Sequence, residues 1–90
     1  MSGCSRTILI TNRRGLHARA SAKFVNMASE LPTRVEVEKD GNRVCGTSIM
    51  GLMMLGAAMG DTIIIHCVGD GCAESIDRLA ELVESRFGED

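Results

Sequence analysis

The pattern of apolar residues predicts an α+β domain: one four-stranded antiparallel sheet with three helices on one face. Three observations lead there. Four short segments alternate or run apolar at strand length, three others carry apolar residues at helical spacing, and an Asp-Gly pair separates two adjacent strand-like segments. The resulting order, β-α-β-β-α-β-α, leaves no internal repeat and no linker. Ninety residues fit one domain, read as 1–90 with an ordered core over about 6–87.

Arg6–Thr11 is the first strand, with Ile8 and Ile10 on one face. Asn12-Arg13-Arg14-Gly15 is a loop. Residues 18–29 place Ala18, Ser21 and Ala22, Val25 and Ala28 at helical spacing, with Phe24 beside them, and this helix ends before Pro32. Arg34–Lys39 alternates Val35 and Val37 with charged neighbours, as a strand with one wet face does. Asp40-Gly41 is the hairpin turn and Arg43–Gly46 the return strand. Ser48 can cap a short helix through Ile49, Met50, Leu52, Met53 and Leu55, bracketed at its end by Gly56 and Gly60. Thr62–Val68 is the most apolar strand. The last helix covers about 72–86, with Ile76, Leu79, Ala80, Val83 and Phe87 on one stripe.

Composition narrows the function. A domain this small buries about two-thirds of the surface its unfolded chain exposes, so it has no room for a deep cofactor pocket. The formal charge is -2 and there is no Trp or Tyr, which argues against nucleic-acid and anionic-lipid partners. The longest apolar stretch, Ile49–Met59, is too short and glycine-broken to span a bilayer, and no secretory signal is visible. The chain reads as cytoplasmic.

Four cysteines, at 4, 45, 67 and 72, permit two disulfides, but buried thiols are the plainer reading of Cys45 and Cys67, with Cys4 in a loose tail. There is no CxxC, and His66 and Cys67 are strand neighbours that point to opposite faces, so no metal site is expected. His66 itself has no evident chemical neighbour. Asp61, Glu74 and Asp77 read as solvated charges.

The chemistry-bearing segment is Gly15-Leu16-His17-Ala18-Arg19. Gly15 allows a left-handed loop immediately before a helix. His17 then falls at the N-cap, where backbone N–H groups lack partners and the helix end is positive. A phosphoryl group on the imidazole would be held there, with Arg19 in reach as a charged fork. A lone His beside an Arg is more often a surface or capping residue. The glycine–histidine–arginine arrangement at a loop–helix junction shifts the balance toward a nucleophile.

This segment resembles the active-site signature of HPr, the histidine-containing phosphocarrier family of the phosphoenolpyruvate-dependent phosphotransferase system. Thr47-Ser48-Ile49-Met50-Gly51-Leu52-Met53 resembles the regulatory-serine segment of the same family, at the family's spacing. The resemblance runs from about Arg6 to Phe87 and implies the family's open-faced β-sandwich. It implies that His17 is phosphorylated at Nδ1 by Enzyme I and dephosphorylated by an EIIA-type domain. Arg19 would interact with the phosphoryl group. Ser48 would be the target of an HPr kinase/phosphorylase, and Ile49, Met50 and Met53 the apolar docking patch, with Arg13, Arg14 and Arg19 at its rim. The chain would be a monomeric carrier without cofactor, not a free-standing enzyme.

Four positions are set apart from the pattern. Ala20 replaces the proline usual after the arginine, which leaves the first turn looser. Ala18 follows the histidine, so capping is expected to rest on backbone groups. Gly46-Thr47 replaces the basic residue common before the serine. Ala20 and Gly46-Thr47-Ser48 resemble the nitrogen-type, NPr-like branch. Two other classes stay open on the residues alone: a phosphorylation-dependent regulatory interaction module, and a ligand-binding α+β domain of ferredoxin-like order in which His17 has no role.

Overall fold

The computed structural model describes residues 3–89. Its elements are β1 (Gly3–Leu9), α1 (Ala18–Glu30), β2 (Arg34–Lys39), β3 (Asn42–Cys45), α2 (Ile49–Met54), β4 (Thr62–Val68) and α3 (Cys72–Glu84), followed by a single 3-10 turn at Arg86–Gly88. The four strands form one antiparallel sheet in the order β1-β4-β2-β3. The expected architecture and element order hold.

Strand alternation sorts the sheet into two faces. Ile8, Val35, Val37, Ile63, Ile65 and Cys67 point to one side and are buried there beneath the helices. α1 contributes Ala20, Phe24 and Ala28 to this core, and α3 contributes Ile76, Leu79, Ala80 and Val83. α2 is anchored differently: Leu52 is its one buried residue. The opposite face is open and polar. There His66 Nε2 lies 2.8 Å from Glu38 Oε1, and Arg43 lies 3.4 Å from Glu36. His66 therefore does have a chemical neighbour, two residues along the adjoining strand from its direct partner Glu36, at the diagonal distance side chains can bridge.

Several boundaries differ from the sequence reading. β1 begins at Gly3, not Arg6, and stops at Leu9. Cys4 is thus not in a tail: it sits in β1 and forms a disulfide with Cys72. Alternation in the sequence could not show this, because the N-terminal half of β1 is polar and gives no apolar signal. Cys45 is exposed rather than buried, since it takes the opposite face to Val44; Cys67 is the buried free thiol. α1 runs to Glu30 and stops where Leu31, in extended conformation, precedes Pro32. α3 ends at Glu84, short of the expected 86. Phe87 is buried as expected, but it arrives from a turn in which Arg86, Phe87 and Gly88 have φ of 60°, 55° and 74°. Three successive left-handed residues swing the C-terminal strap back toward the start of α1. Among the described residues no helix is long and apolar enough to cross a membrane.

Candidate functional site

The site begins at Gly15. Its φ is +60°, and a Cβ there would lie 2.2 Å from the carbonyl oxygen of Ala57. Only glycine allows this close approach, which is sealed by the Leu16 N–H donating to the same carbonyl at 2.9 Å. The loop is closed from inside by Asn12, which is fully buried. Asn12 Nδ2 donates to the Gly15 carbonyl at 2.8 Å and to Glu89 Oε1 at 3.1 Å. Both partners are acceptors, which fixes the orientation of the amide. Its Oδ1 has no hydrogen-bond partner among the described residues.

His17 is the N-cap of α1, as expected, with extended backbone. The cap uses the ring itself: the Arg19 N–H donates to His17 Nδ1 at 3.3 Å. Capping therefore does not rest on backbone groups alone, contrary to the expectation from Ala18. The first helical bond, Ser21 N–H to the His17 carbonyl, follows at 2.9 Å. The N–H groups of the first turn before it have no partner within the helix, and that of Arg19 meets the ring. Ala20, in place of proline, is completely buried in the core, and the helix begins at Ala18 without it.

The other ring nitrogen meets a residue the sequence reading did not include. His17 Nε2 lies 2.6 Å from Glu89 Oε2. Burial alone would raise the Glu89 carboxyl above its ordinary value of 4.5. The hydrogen bonds from Asn12 and His17, with attraction to His17 and Lys23, outweigh burial and hold it below. An ionised carboxylate can only accept, so Nε2 carries the proton and Nδ1 is left with its lone pair. Arg19 N–H demands the same tautomer from the opposite side of the ring. The strap that brings Glu89 here is tied down by Lys23 Nζ, which donates to the Phe87 carbonyl at 2.6 Å. Beside Glu89, Arg13, Arg14, Arg19 and Lys23 line a shallow surface concavity with Gly88 and Glu89 itself. Such a cluster of cations suits an oxyanion. No apolar periodicity could have identified Glu89; its only signal was an acidic residue after a buried aromatic at the chain's end.

Ser48, Ile49, Met50 and Met53 gather on a different surface. Ser48 caps α2 through Oγ, accepting from the Gly51 N–H at 3.0 Å. Gly46, one of the departures, has a steric reason: a Cβ there would lie 2.6 Å from the Val35 side chain. Met50 is 73% exposed and Met54 79%, and together with Ile49 and Met53 they form a continuous apolar face. α1 packs against α2, and among the described residues no side chain is common to this face and the concavity beside Glu89. Among the described residues no group of three or more His, Cys, Asp or Glu side chains is disposed to hold a metal ion.

Comparison with known proteins agrees with this geometry. A family model described as "PTS HPr component phosphorylation site" matches residues 4–85. The phosphocarrier protein HPr of Neisseria meningitidis is 48% identical over 84 residues, covering 93% of this chain and 94% of its own length. A phosphocarrier protein NPr of Shewanella violacea is 33% identical over 89 residues, covering 99% and 98%. The crystal structure of HPr-C-His from Thermoanaerobacter tengcongensis superposes with a TM-score of 0.91 at 44% identity, covering 97% of this chain and 98% of that one. A match across nearly the whole sequence, joined to the same fold in a relative this similar, makes the chain a member of the HPr family of phosphotransferase-system phosphocarrier proteins.

Proposed function

We propose that His17 accepts a phosphoryl group at Nδ1 from phospho-Enzyme I and passes it to an EIIA-type domain. The observation that carries this reading is the paired fixing of the ring, Nε2 on Glu89 and Nδ1 toward the Arg19 N–H. The Nδ1 lone pair attacks phosphorus, an N–P bond forms, and the donor's N–P bond breaks. The proton stays on Nε2, where Glu89 stabilises the charge the ring acquires. The phosphoryl oxygens then take the N–H groups of the first turn of α1, the Arg19 N–H passing to them from Nδ1, with the positive concavity of Arg13, Arg14, Arg19 and Lys23 lying beside Glu89. Transfer onward reverses the same steps. The chain supplies the nucleophile and a placed field, while its partners supply the machinery of transfer, so it is a carrier and not an enzyme.

The face of Ile49, Met50 and Met53 is the docking patch in this reading, with the arginines at its rim. It has the apolar centre and charged border of a transient interface. The carrier works as a cytoplasmic monomer. Ser48 is a second phosphorylation site, for a kinase of the HPr kinase/phosphorylase type. A phosphate there would add about two negative charges at the border of the patch without unfolding α2. Gly46-Thr47 weighs on recognition by that kinase rather than on the site itself, since Gly46 is there for packing.

The test is intact mass after incubation with Enzyme I and phosphoenolpyruvate, beside the His17→Ala variant. One acid-labile phosphoryl group on the wild type and none on the variant is the expected result. No gain with an active cognate donor would overturn the carrier reading and leave partner binding governed by Ser48.

A further inference from the structure

Three of the four cysteines meet at one end of the core. Cys4 stands directly opposite Cys67 across the β1–β4 ladder, on the helix-covered face. Cys72 is the first residue of α3 and is 4% exposed. Cys4 is bonded to Cys72, with Cα atoms 6.1 Å apart, within the span a disulfide bridges. Cys67 remains a free buried thiol beside them.

The three sulfurs are not equivalent. Cys67 and Cys72 are shielded, whereas Cys4 is half-buried on the outermost strand, where an external thiolate can reach it. If Cys4 is the sulfur attacked, Cys72 is the sulfur that leaves, and it leaves at the N-terminus of a 13-residue helix, where negative charge is stabilised.

Residues 3–7 are held by their ladder to β4, Gly3 opposite Val68 through Thr7 opposite Ile64, and the bond adds a covalent tie from this half-strand to α3. Of the first five residues of β1, four are exposed, and Cys4 is the one that packs against the core. The remaining tie from this half-strand to α3 is the Arg6–Asp77 ion pair, at 2.6 Å but on the surface, where such pairs contribute little. Ile8, farther along, is buried independently of the bond. Opening the disulfide therefore cuts the covalent tie to α3 and leaves the β1–β4 ladder and the core in place.

We propose that Cys4–Cys72 is a redox-active disulfide, the substrate of a dithiol reductant, and that its reduction releases residues 3–7 from α3. The reductant's thiolate attacks Cys4 Sγ, the Cys4–Cys72 bond breaks, and a mixed disulfide forms on Cys4. Cys72 departs as thiolate and takes up a proton. The reductant's second thiolate attacks its own sulfur in the mixed disulfide, Cys4 leaves and is protonated, and the reductant ends as a disulfide. Two electrons and two protons pass to the chain. Cys67 takes no part. This inference is independent of the phosphoryl reading.

The test uses the full chain equilibrated across a series of glutathione ratios, trapped by alkylation under denaturing conditions and mapped by mass, with Cys67→Ser alongside. Cys4 and Cys72 should gain label together in one transition, unchanged in Cys67→Ser, while Cys67 is labelled throughout. Across that transition the Tm should fall by roughly 10–20 °C, the effect of opening a long loop in a domain of this size. The amides of residues 3–7 should exchange about tenfold faster or more, with Ile8 and Leu9 less affected. A pair that stays oxidised in fully reduced glutathione, or never forms in oxidised glutathione, overturns the proposal. So does a Cys4–Cys67 pairing, or reduction that leaves the exchange of residues 3–7 unchanged.

Discussion

Among the described residues two helix N-termini are capped by a side chain, and their surroundings differ. At α1 the cap is His17, whose Nδ1 accepts from the Arg19 N–H; at α2 it is Ser48, whose Oγ accepts from the Gly51 N–H. Both present a nucleophilic side-chain atom to backbone donors that have no partner within the helix. The difference is what surrounds them. His17 is held through Nε2 by Glu89, which Asn12 bonds in turn, and Glu89 shares a shallow concavity with Arg13, Arg14, Arg19 and Lys23, on a helix that buries four residues. Ser48 opens a six-residue helix held by Leu52 alone and bordered by exposed methionines. A helix end welcomes phosphate in either case. In the proposed reading, nearby cations and a tautomer-fixing carboxylate are what suit His17 to gaining and giving up a phosphoryl group, and among the described residues Ser48 has neither beside it.

If that contrast is right, breaking the platform under His17 has the largest effect. Gly15→Ala puts a methyl group 2.2 Å from the Ala57 carbonyl oxygen at a φ of +60°. The loop must shift, and the Leu16–Ala57 and Asn12–Gly15 hydrogen bonds go with it. A loss of roughly 4 kcal/mol in unfolding free energy, read by urea denaturation, is expected. Phosphoryl acceptance should fall with it even under conditions where the variant is folded. A variant of wild-type stability would show that the loop has slack and that its contacts do not position the ring.

The next effect sharpens the other side of the comparison. Ser48→Ala removes one cap bond from a short, half-exposed helix, and about 1 kcal/mol of stability should go with it. Transfer to His17 should be unchanged, because no Ser48 atom touches the site. Ser48→Asp restores an acceptor at the cap and should recover most of the stability, yet it places a charge beside Ile49 and Met50 and should slow turnover by Enzyme I. Normal turnover of Ser48→Asp with normal stability would remove the patch from the docking role proposed for it.

How far the sequence could be read follows the same division. Apolar alternation and helical spacing located all four strands and all three helices, since each depends on a local period. Thr62–Val68 and Arg34–Lys39 came out with their observed ends. His17, Arg19 and Ser48 were legible because a glycine, a cap position and a neighbouring charge lie within a few residues of one another. Glu89 was not, because its meeting with His17 spans 72 residues and depends on three left-handed residues at 86–88, two of them non-glycine, that no sequence period signals. The Cys4–Cys72 bond was missed for a like reason, a separation of 68 residues with a polar half-strand at one end. Asn12 was read as loop, and its burial arises only when Gly15 and Glu89 close around it.

Glu89 gives the smallest and most discriminating effect. Its folded carboxyl lies below the ordinary glutamate value of 4.5. A carboxyl depressed in the folded state stabilises the fold at pH above its unfolded value, and that contribution is lost as pH falls through the folded value. The tie between the strap and His17 should therefore hold at neutral pH and let go in acid, beginning below pH 4.5. Glu89→Gln keeps an acceptor for the Nε2 proton, so near neutrality it should cost little stability; what it removes is the acid-dependent step and the charge that supports the phosphorylated ring. The protection of the amides of residues 86–88, taken as their exchange relative to the intrinsic rate at each pH from 6 down to 3, should fall through this window in the wild type and show no such step in the variant. Nitrogen chemical shifts of His17 should report the Nε2–H tautomer in the wild type at neutral pH and a mixture in Glu89→Gln, because an amide can satisfy either ring form. A wild-type tautomer unchanged in the variant would mean that the Arg19 N–H fixes the ring without help. The distinction between the two caps would then rest on the arginines and Lys23 alone.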